Sequence, residues 1–214
     1  MRETTGDMRD SETDERLART TLTDWMRLRF GGILEPVAHW LNRLGVHPNT
    51  VSFLGFLLQV VVAALFVTDR VRWGGVLLFV SAPLDALDGA VARAGGTDGP
   101  FGAFLDSTLD RVADAVLILG LTAHQMRLGA PLEAWLLLVG LVAALMVSYT
   151  RAKAESLGVT CTAGLLTRLE RILLIAVLAS LALTSVLAWA LAILSVFTFL
   201  QRILYVYSHF LDSE

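Results

Sequence analysis

Polar and apolar positions divide this chain into three regimes. Residues 1–24 are polar and mixed in charge, with no sustained apolar period, and read as a solvated, flexible arm. No apolar core follows closely enough for a signal peptide. From residue 25 to 45 an apolar set (Trp25, Met26, Leu28, Phe30, Ile33, Leu34, Val37, Ala38, Trp40, Leu41, Leu44) alternates with Arg27, Arg29, Glu35, His39 and Arg43. Helical spacing gathers most of that set on one face, as expected of a helix lying in the headgroup layer, with Gly31-Gly32 interrupting its start. Residues 46–214 carry long apolar runs. A bilayer core of about 30 Å needs about 20 helical residues to cross it. The runs 50–68, 73–94, 101–126, 132–156, 164–184 and 186–207 therefore predict six transmembrane helices. The breaks between them hold turn or polar residues: Asp69-Arg70, Gly95 to Pro100, Gly129-Ala130-Pro131, Gly158 and Thr184-Ser185. Trp73, Trp135 and Trp189 lie near predicted ends, where interfacial aromatics belong.

Composition agrees with this reading. Of 214 residues, 55% are hydrophobic and 17% charged, with mean hydropathy +0.64. Fifteen of the 37 charged side chains fall in the first 45 residues, so the remainder has too little charge to coat a water-facing domain. The expected class is an all-α integral membrane protein of six transmembrane helices preceded by an amphipathic interfacial helix. A net charge of −3 gives no reason to expect a nucleic-acid partner. The single cysteine, Cys161, excludes an intramolecular disulfide. In a six-span arrangement Arg27, Arg29, Arg43, Arg93, Arg151, Lys153 and Arg202 share one side, which the positive-inside rule assigns to the cytoplasm together with both termini. The plasma membrane is the expected location.

Several charges contradict the apolar pattern. Asp85, Asp88, Asp106 and Asp110 sit in or beside spans 2 and 3, and four mid-membrane aspartates would cost about 10–14 kcal/mol on insertion scales. Asp85 and Asp88 are three apart and Asp106 and Asp110 four apart, so each pair shares a helix face. If the hairpin between the spans brings these faces together, the carboxylates need a cation, and hard oxygen donors suit Mg²⁺ or Mn²⁺. Gly89 and Gly102 leave backbone open to a ligand, and Arg93 offers a cation for phosphate. Together these features describe phosphoryl transfer at the membrane surface.

The run Asp85-x-x-Asp88-Gly89-x-x-Ala92-Arg93, followed by Gly102, Asp106 and Asp110, resembles the complete signature of the CDP-alcohol phosphatidyltransferases, with eight specified positions filled across 26 residues. The resemblance extends from about Gly45 to the last helix. It implies a six-helix, homodimeric enzyme acting on CDP-diacylglycerol. Asp85, Asp88, Asp106 and Asp110 would hold the metal, and Asp110 would also be the general base. Asn49, Ser52, Asp88, Gly89, Arg93 and Gly102 would bind the CDP-lipid. Gly99 stands where phosphatidylinositol phosphate synthases often have threonine, with Thr97 the nearest hydroxyl.

A second cationic set points to the acceptor. Arg151 ends span 4, Arg171 opens span 5 and Arg202 lies near the end of span 6. Converging arginines suit a phosphate on the acceptor, whereas free inositol, choline or serine would not require them. The set resembles that of phosphatidylinositol phosphate synthases, which implies inositol 1-phosphate as the acceptor. Thr167 and Leu169 depart from the Glu-Arg-Pro-Glu-Arg pattern common there. Glycerol 3-phosphate is the alternative acceptor, in a phosphatidylglycerophosphate synthase. Anchoring to anionic lipid is another reading of the arginines. Asp114, one turn beyond Asp110, is open to two readings: a salt bridge with Arg111 or Arg151, or a place in the site. Outside the family, a divalent-cation transporter also needs intramembrane acids, and an intramembrane prenyltransferase also uses aspartate-rich helices.

Overall fold

The computed structural model describes residues 35–95, 99–161 and 163–211, without the side chains of residues 82, 83, 85, 86, 88 and 92. The expected arm 1–24, residues 25–34 of the interfacial helix and Thr97 lie outside the described residues. Among those described there is helix and no strand. A helical stretch over residues 35–43 precedes α1 (Pro48–Val67), α2 (Val71–Gly95), α3 (Pro100–Arg127), α4 (Pro131–Ser156), α5 (Arg168–Ser180) and α6 (Thr184–Leu211).

Local chemistry explains most of the boundaries. Pro48, Pro100 and Pro131 open α1, α3 and α4, where proline's fixed φ suits the helix and its missing N–H is no loss. Four helices end on a left-handed residue: Asp69 (φ 62°), Gly129 (φ 70°), Gly158 (φ 82°) and Ala182 (φ 58°). The turn at 181–183 falls before the expected break. Thr184 and Ser185 open α6 instead, since hydroxyl residues suit a helix start as well as a loop. The expected span from residue 164 is also shortened. Gly164 has φ 140°, which no helix contains, and the Leu166 amide donates to Thr198 Oγ1 at 3.0 Å, so α5 begins only at Arg168.

Each helix reverses the direction of the last, and side-by-side packing closes them into a ring in the order α1, α3, α4, α6, α5, α2. Among the described residues, α2 and α3 each pack on α1. One apolar core fills the ring, with Phe66, Leu78, Leu117, Ile118, Leu137, Ile175 and Leu191 among its members. The outer surface is apolar as well: Phe53, Val61, Val80, Val142, Ile193 and Leu204 are exposed, as on a lipid-facing surface. By length and composition α1, α4 and α6 are long and apolar enough to cross a membrane. The acids and arginines of α3 and the 13 residues of α5 keep those two outside that measure.

Glycines set the closest approaches. A Cβ on Gly75 of α2 would lie 2.8 Å from the Ala176 carbonyl of α5 and would also meet Ser180. Gly75→Val is therefore expected to destabilise the protein by about 1–3 kcal/mol through overpacking. Thermal unfolding in detergent checks this. An unchanged midpoint would mean that α2 and α5 do not meet there.

Candidate functional site

Alternating helix directions bring the start of α1, α3 and α5 to the same end as the finish of α2, α4 and α6. The described candidate site residues on these helices lie at that end. At the other end Asp69 accepts from Arg127 at 2.8 Å and lies 2.9 Å from Nδ1 of the buried His124.

Where the sequence places the CDP-lipid candidates, α1 faces α3. Asn49 Oδ1 lies 3.7 Å from where a Cβ on Gly102 would be, so these two candidates are neighbours. One turn further, Ser52, Phe56 and Gln59 line a narrow cleft of about 10 Å³ with Asp106, Leu109, Asp110, Ala113 and Arg168. Spacings of three and four on both helices create these matching stripes. On α2 a Cβ on Gly89 would lie 3.3 Å from Arg93 Nη1, so the arginine folds back over the glycine. The α2 backbone carries Asp85 and Asp88 at this end, but their side chains lie outside the described residues. Among the described residues no three His, Cys, Asp or Glu side chains cluster as metal ligands. The donor chemistry nevertheless fits: Asp106 and Asp110 border one cleft from successive turns, and carboxylate oxygens suit Mg²⁺ or Mn²⁺.

Beside that cleft a cavity of about 240 Å³ opens, bordered by Asp110, Asp114, Arg111, Arg151, Arg168, Arg171 and Arg202, with Ser107, Val147, Ser148 and Thr167. The three arginines expected to converge do so. Five guanidiniums line it against two carboxylates, and with Glu155 paired to Arg151 a surplus of two positive charges is left. Arg202 is 4% exposed, its Nε donating to the Ala163 carbonyl at 2.8 Å and its Nη1 to that of Val147 at 2.5 Å. Gly164 passes so close that a Cβ there would lie 3.1 Å from Arg202 Nε. Arg171 is buried and pairs with Asp114. Arg151 sits at the rim, half exposed, its Nε donating to Glu155 at 2.8 Å.

Of the two readings left open for Asp114, a salt bridge is present, with Arg171 in place of Arg111 or Arg151, and Arg111 turns to the Ser107 carbonyl. The reason lies in helix direction. Since α3 and α5 both run inward from this end, Asp110 to Asp114 and Arg168 to Arg171 descend together by about 6 and 4.5 Å. The two pairs form successive rungs, Arg168 Nη2 lying 3.0 Å from Asp110 Oδ1 above and Arg171 with Asp114 below. Sequence reasoning left Arg168 without a role, although its place three residues before Arg171 puts both on one face of α5. Among the described residues, only Asp110 and Arg168 border both the cleft and the cavity.

The family profile described as CDP-alcohol phosphatidyltransferase matches residues 45–201. The chain belongs to the CDP-alcohol phosphatidyltransferase family. It is accordingly a transferase, and a cation transporter or prenyltransferase no longer fits. The chain is 39% identical over 184 residues to the archaetidylinositol phosphate synthase of Methanothermobacter thermautotrophicus, covering 81% of this chain and 88% of that one. It is 38% identical over 188 residues to the phosphatidylinositol phosphate synthase of Corynebacterium glutamicum, covering 80% and 82%. Among solved structures, Mycobacterium tuberculosis phosphatidylinositol phosphate synthase with CDP-DAG bound superposes with TM-score 0.77 at 32% identity, over 82% of this chain and 94% of that one. The same enzyme in complex with manganese and citrate gives TM-score 0.74 at 31% identity, over 81% and 88%.

Proposed function

We propose that this phosphatidyltransferase moves the phosphatidyl group of CDP-diacylglycerol onto inositol 1-phosphate, giving phosphatidylinositol phosphate and CMP. The observation that carries the reading is the place of Asp110, on the wall between the cleft toward the CDP-lipid residues and the arginine-rich cavity. A surplus of two positive charges suits a phosphate monoester dianion, which a neutral polyol does not carry. Relatives named as inositol phosphate synthases in archaea and bacteria favour inositol 1-phosphate over glycerol 3-phosphate.

Asn49, Ser52, Gly89, Arg93 and Gly102 hold the CDP part, with Asp88 serving both nucleotide and metal. Mg²⁺ or Mn²⁺ held by Asp85, Asp88, Asp106 and Asp110 would supply charge neutralisation for the pyrophosphate and the leaving CMP. Arg151, Arg171 and Arg202 bind the acceptor phosphate and leave its free hydroxyl toward Asp110. Asp110 takes the hydroxyl proton as the oxygen attacks the phosphorus that bears the lipid, and Arg168 orients that carboxylate. Residues 46–214 form a six-span domain, with residues 25–45 lying on the membrane. The active site and both termini face the cytoplasm, and the enzyme works as a homodimer.

CMP release with CDP-diacylglycerol and Mg²⁺ tests the reading, each candidate acceptor being offered separately. Release is expected with inositol 1-phosphate and not with free inositol, and is lost on chelation and restored by Mg²⁺ or Mn²⁺. Release with glycerol 3-phosphate alone would reassign the acceptor. Activity that survives exhaustive chelation would remove the metal from the mechanism.

A further inference from the structure

We propose that Asp114 recognises the acceptor polyol itself, accepting a hydrogen bond from a hydroxyl beside the phosphate while it holds Arg171 for the phosphate. This rests on the acceptor reading above and extends it from the phosphate to the ring that carries it. Asp114 borders the 240 Å³ cavity and is 4% exposed. Its Oδ2 takes Arg171 Nη2. Its Oδ1 is buried and has no hydrogen-bond partner among the described residues, and the same holds for Nε and Nη1 of Arg171. An ionised carboxylate only accepts and a guanidinium only donates, so the two groups offer unmet capacity of opposite kinds. Buried polar atoms in native proteins are nearly always paired, and three orphans on one ion pair beside a cavity call for a ligand that satisfies them together.

That ligand carries acceptor oxygens for Arg171 next to a donor for Asp114. A hydroxyl adjacent to a phosphate monoester has this pattern, and inorganic phosphate has no neighbouring alcohol. The other carboxylate on this cavity, Asp110, pairs with Arg168 nearer the cleft, so the two aspartates divide the work. Asp110 meets the hydroxyl that reacts, and Asp114 meets one that does not. A site built to accept from a hydroxyl rejects the analogue lacking it strongly, because its own buried oxygen is then left unpaired.

The test is a cycle between substrate and protein. kcat/KM is measured for inositol 1-phosphate and for its two deoxy analogues lacking a hydroxyl beside the phosphate, with wild type and with Asp114→Leu, at saturating CDP-diacylglycerol. In wild type, one analogue is expected to lose at least about tenfold, mainly through KM. In Asp114→Leu that analogue and inositol 1-phosphate should come within about threefold of each other, because no polar group is left to tell them apart. A deoxy penalty of the same size in both proteins overturns the proposal and leaves Asp114 as a tie between α3 and α5. An unchanged KM for CDP-diacylglycerol and a preserved thermal midpoint show that the variant folds. Should it not fold, Asp114→Glu takes its place; the longer side chain displaces the oxygen, so the penalty must shrink there too, and an unchanged penalty overturns the proposal. If wild type uses glycerol 3-phosphate and not inositol 1-phosphate, the acceptor reading falls alone, and the same cycle runs with glycerol 3-phosphate and its 2-deoxy analogue. Turnover of an unphosphorylated polyol overturns both.

Discussion

Replacing Asp110 with asparagine is expected to lower CMP release by about 10⁴-fold or more, at the upper end of what a general base contributes, because the same residue is also read as a metal ligand. Size is conserved, so the cleft with Ser52 and Asp106 keeps its shape. Charge is not, and Arg168, which pairs with Asp110 at 3.0 Å, is left with an amide for a partner. The cavity then carries one more uncompensated positive charge. Acceptor binding should therefore hold or tighten while turnover disappears, and the Mg²⁺ concentration for half-maximal residual activity should rise. Equilibrium binding of labelled inositol 1-phosphate beside single-turnover CMP release separates these effects. A variant retaining a tenth of wild-type turnover would show that another group takes the proton.

What the sequence made legible follows from how local each feature is. Asp106 and Asp110 lie four apart, a spacing that one helix face fixes, so their bordering one cleft needed nothing beyond α3 itself. The arginines of α4, α5 and α6 needed only alternating helix directions. Pairing across the ring is different. Whether Asp114 meets Arg151 or Arg171 depends on the relative height of α3 and α5, which no spacing within one helix encodes. The path of residues 163–167 was hidden for a related reason. The run from Gly164 is apolar and reads as membrane-spanning, yet Gly164 adopts φ 140° and Leu166 gives its amide to Thr198, 32 residues away. Ala182, left-handed at φ 58°, carries no turn signal at all. The position follows from Leu183 N closing onto the Leu178 carbonyl at 2.8 Å, a helix-ending bond that any residue can make.

Substituting lysine for Arg202 is expected to raise KM for inositol 1-phosphate by about 10–100-fold, the equivalent of one charge-assisted hydrogen-bonding group, with little change in KM for CDP-diacylglycerol. The geometry is demanding. Two edges of the guanidinium are committed to the carbonyls of Ala163 and Val147, and a lysine ammonium cannot hold both and still present a planar donor face to phosphate. Arg171→Lys should act similarly, and Arg171→Ala should also destabilise the fold by about 3–5 kcal/mol, since Asp114 is then a buried charge without its partner. Arg151→Ala should matter least. Its side chain is half exposed, already paired with Glu155, and replaceable by water. This ranking distinguishes phosphate recognition from attraction to anionic lipid. Lipid anchoring draws on exposed charge, so it predicts that loss of Arg151 weakens binding to anionic vesicles while Arg202, buried inside the ring, contributes nothing. Acceptor KM values for the three single variants, measured in neutral detergent and again with anionic lipid added, decide between them. A larger effect from Arg151 than from Arg202, present only with anionic lipid, would remove the acceptor phosphate from this cluster.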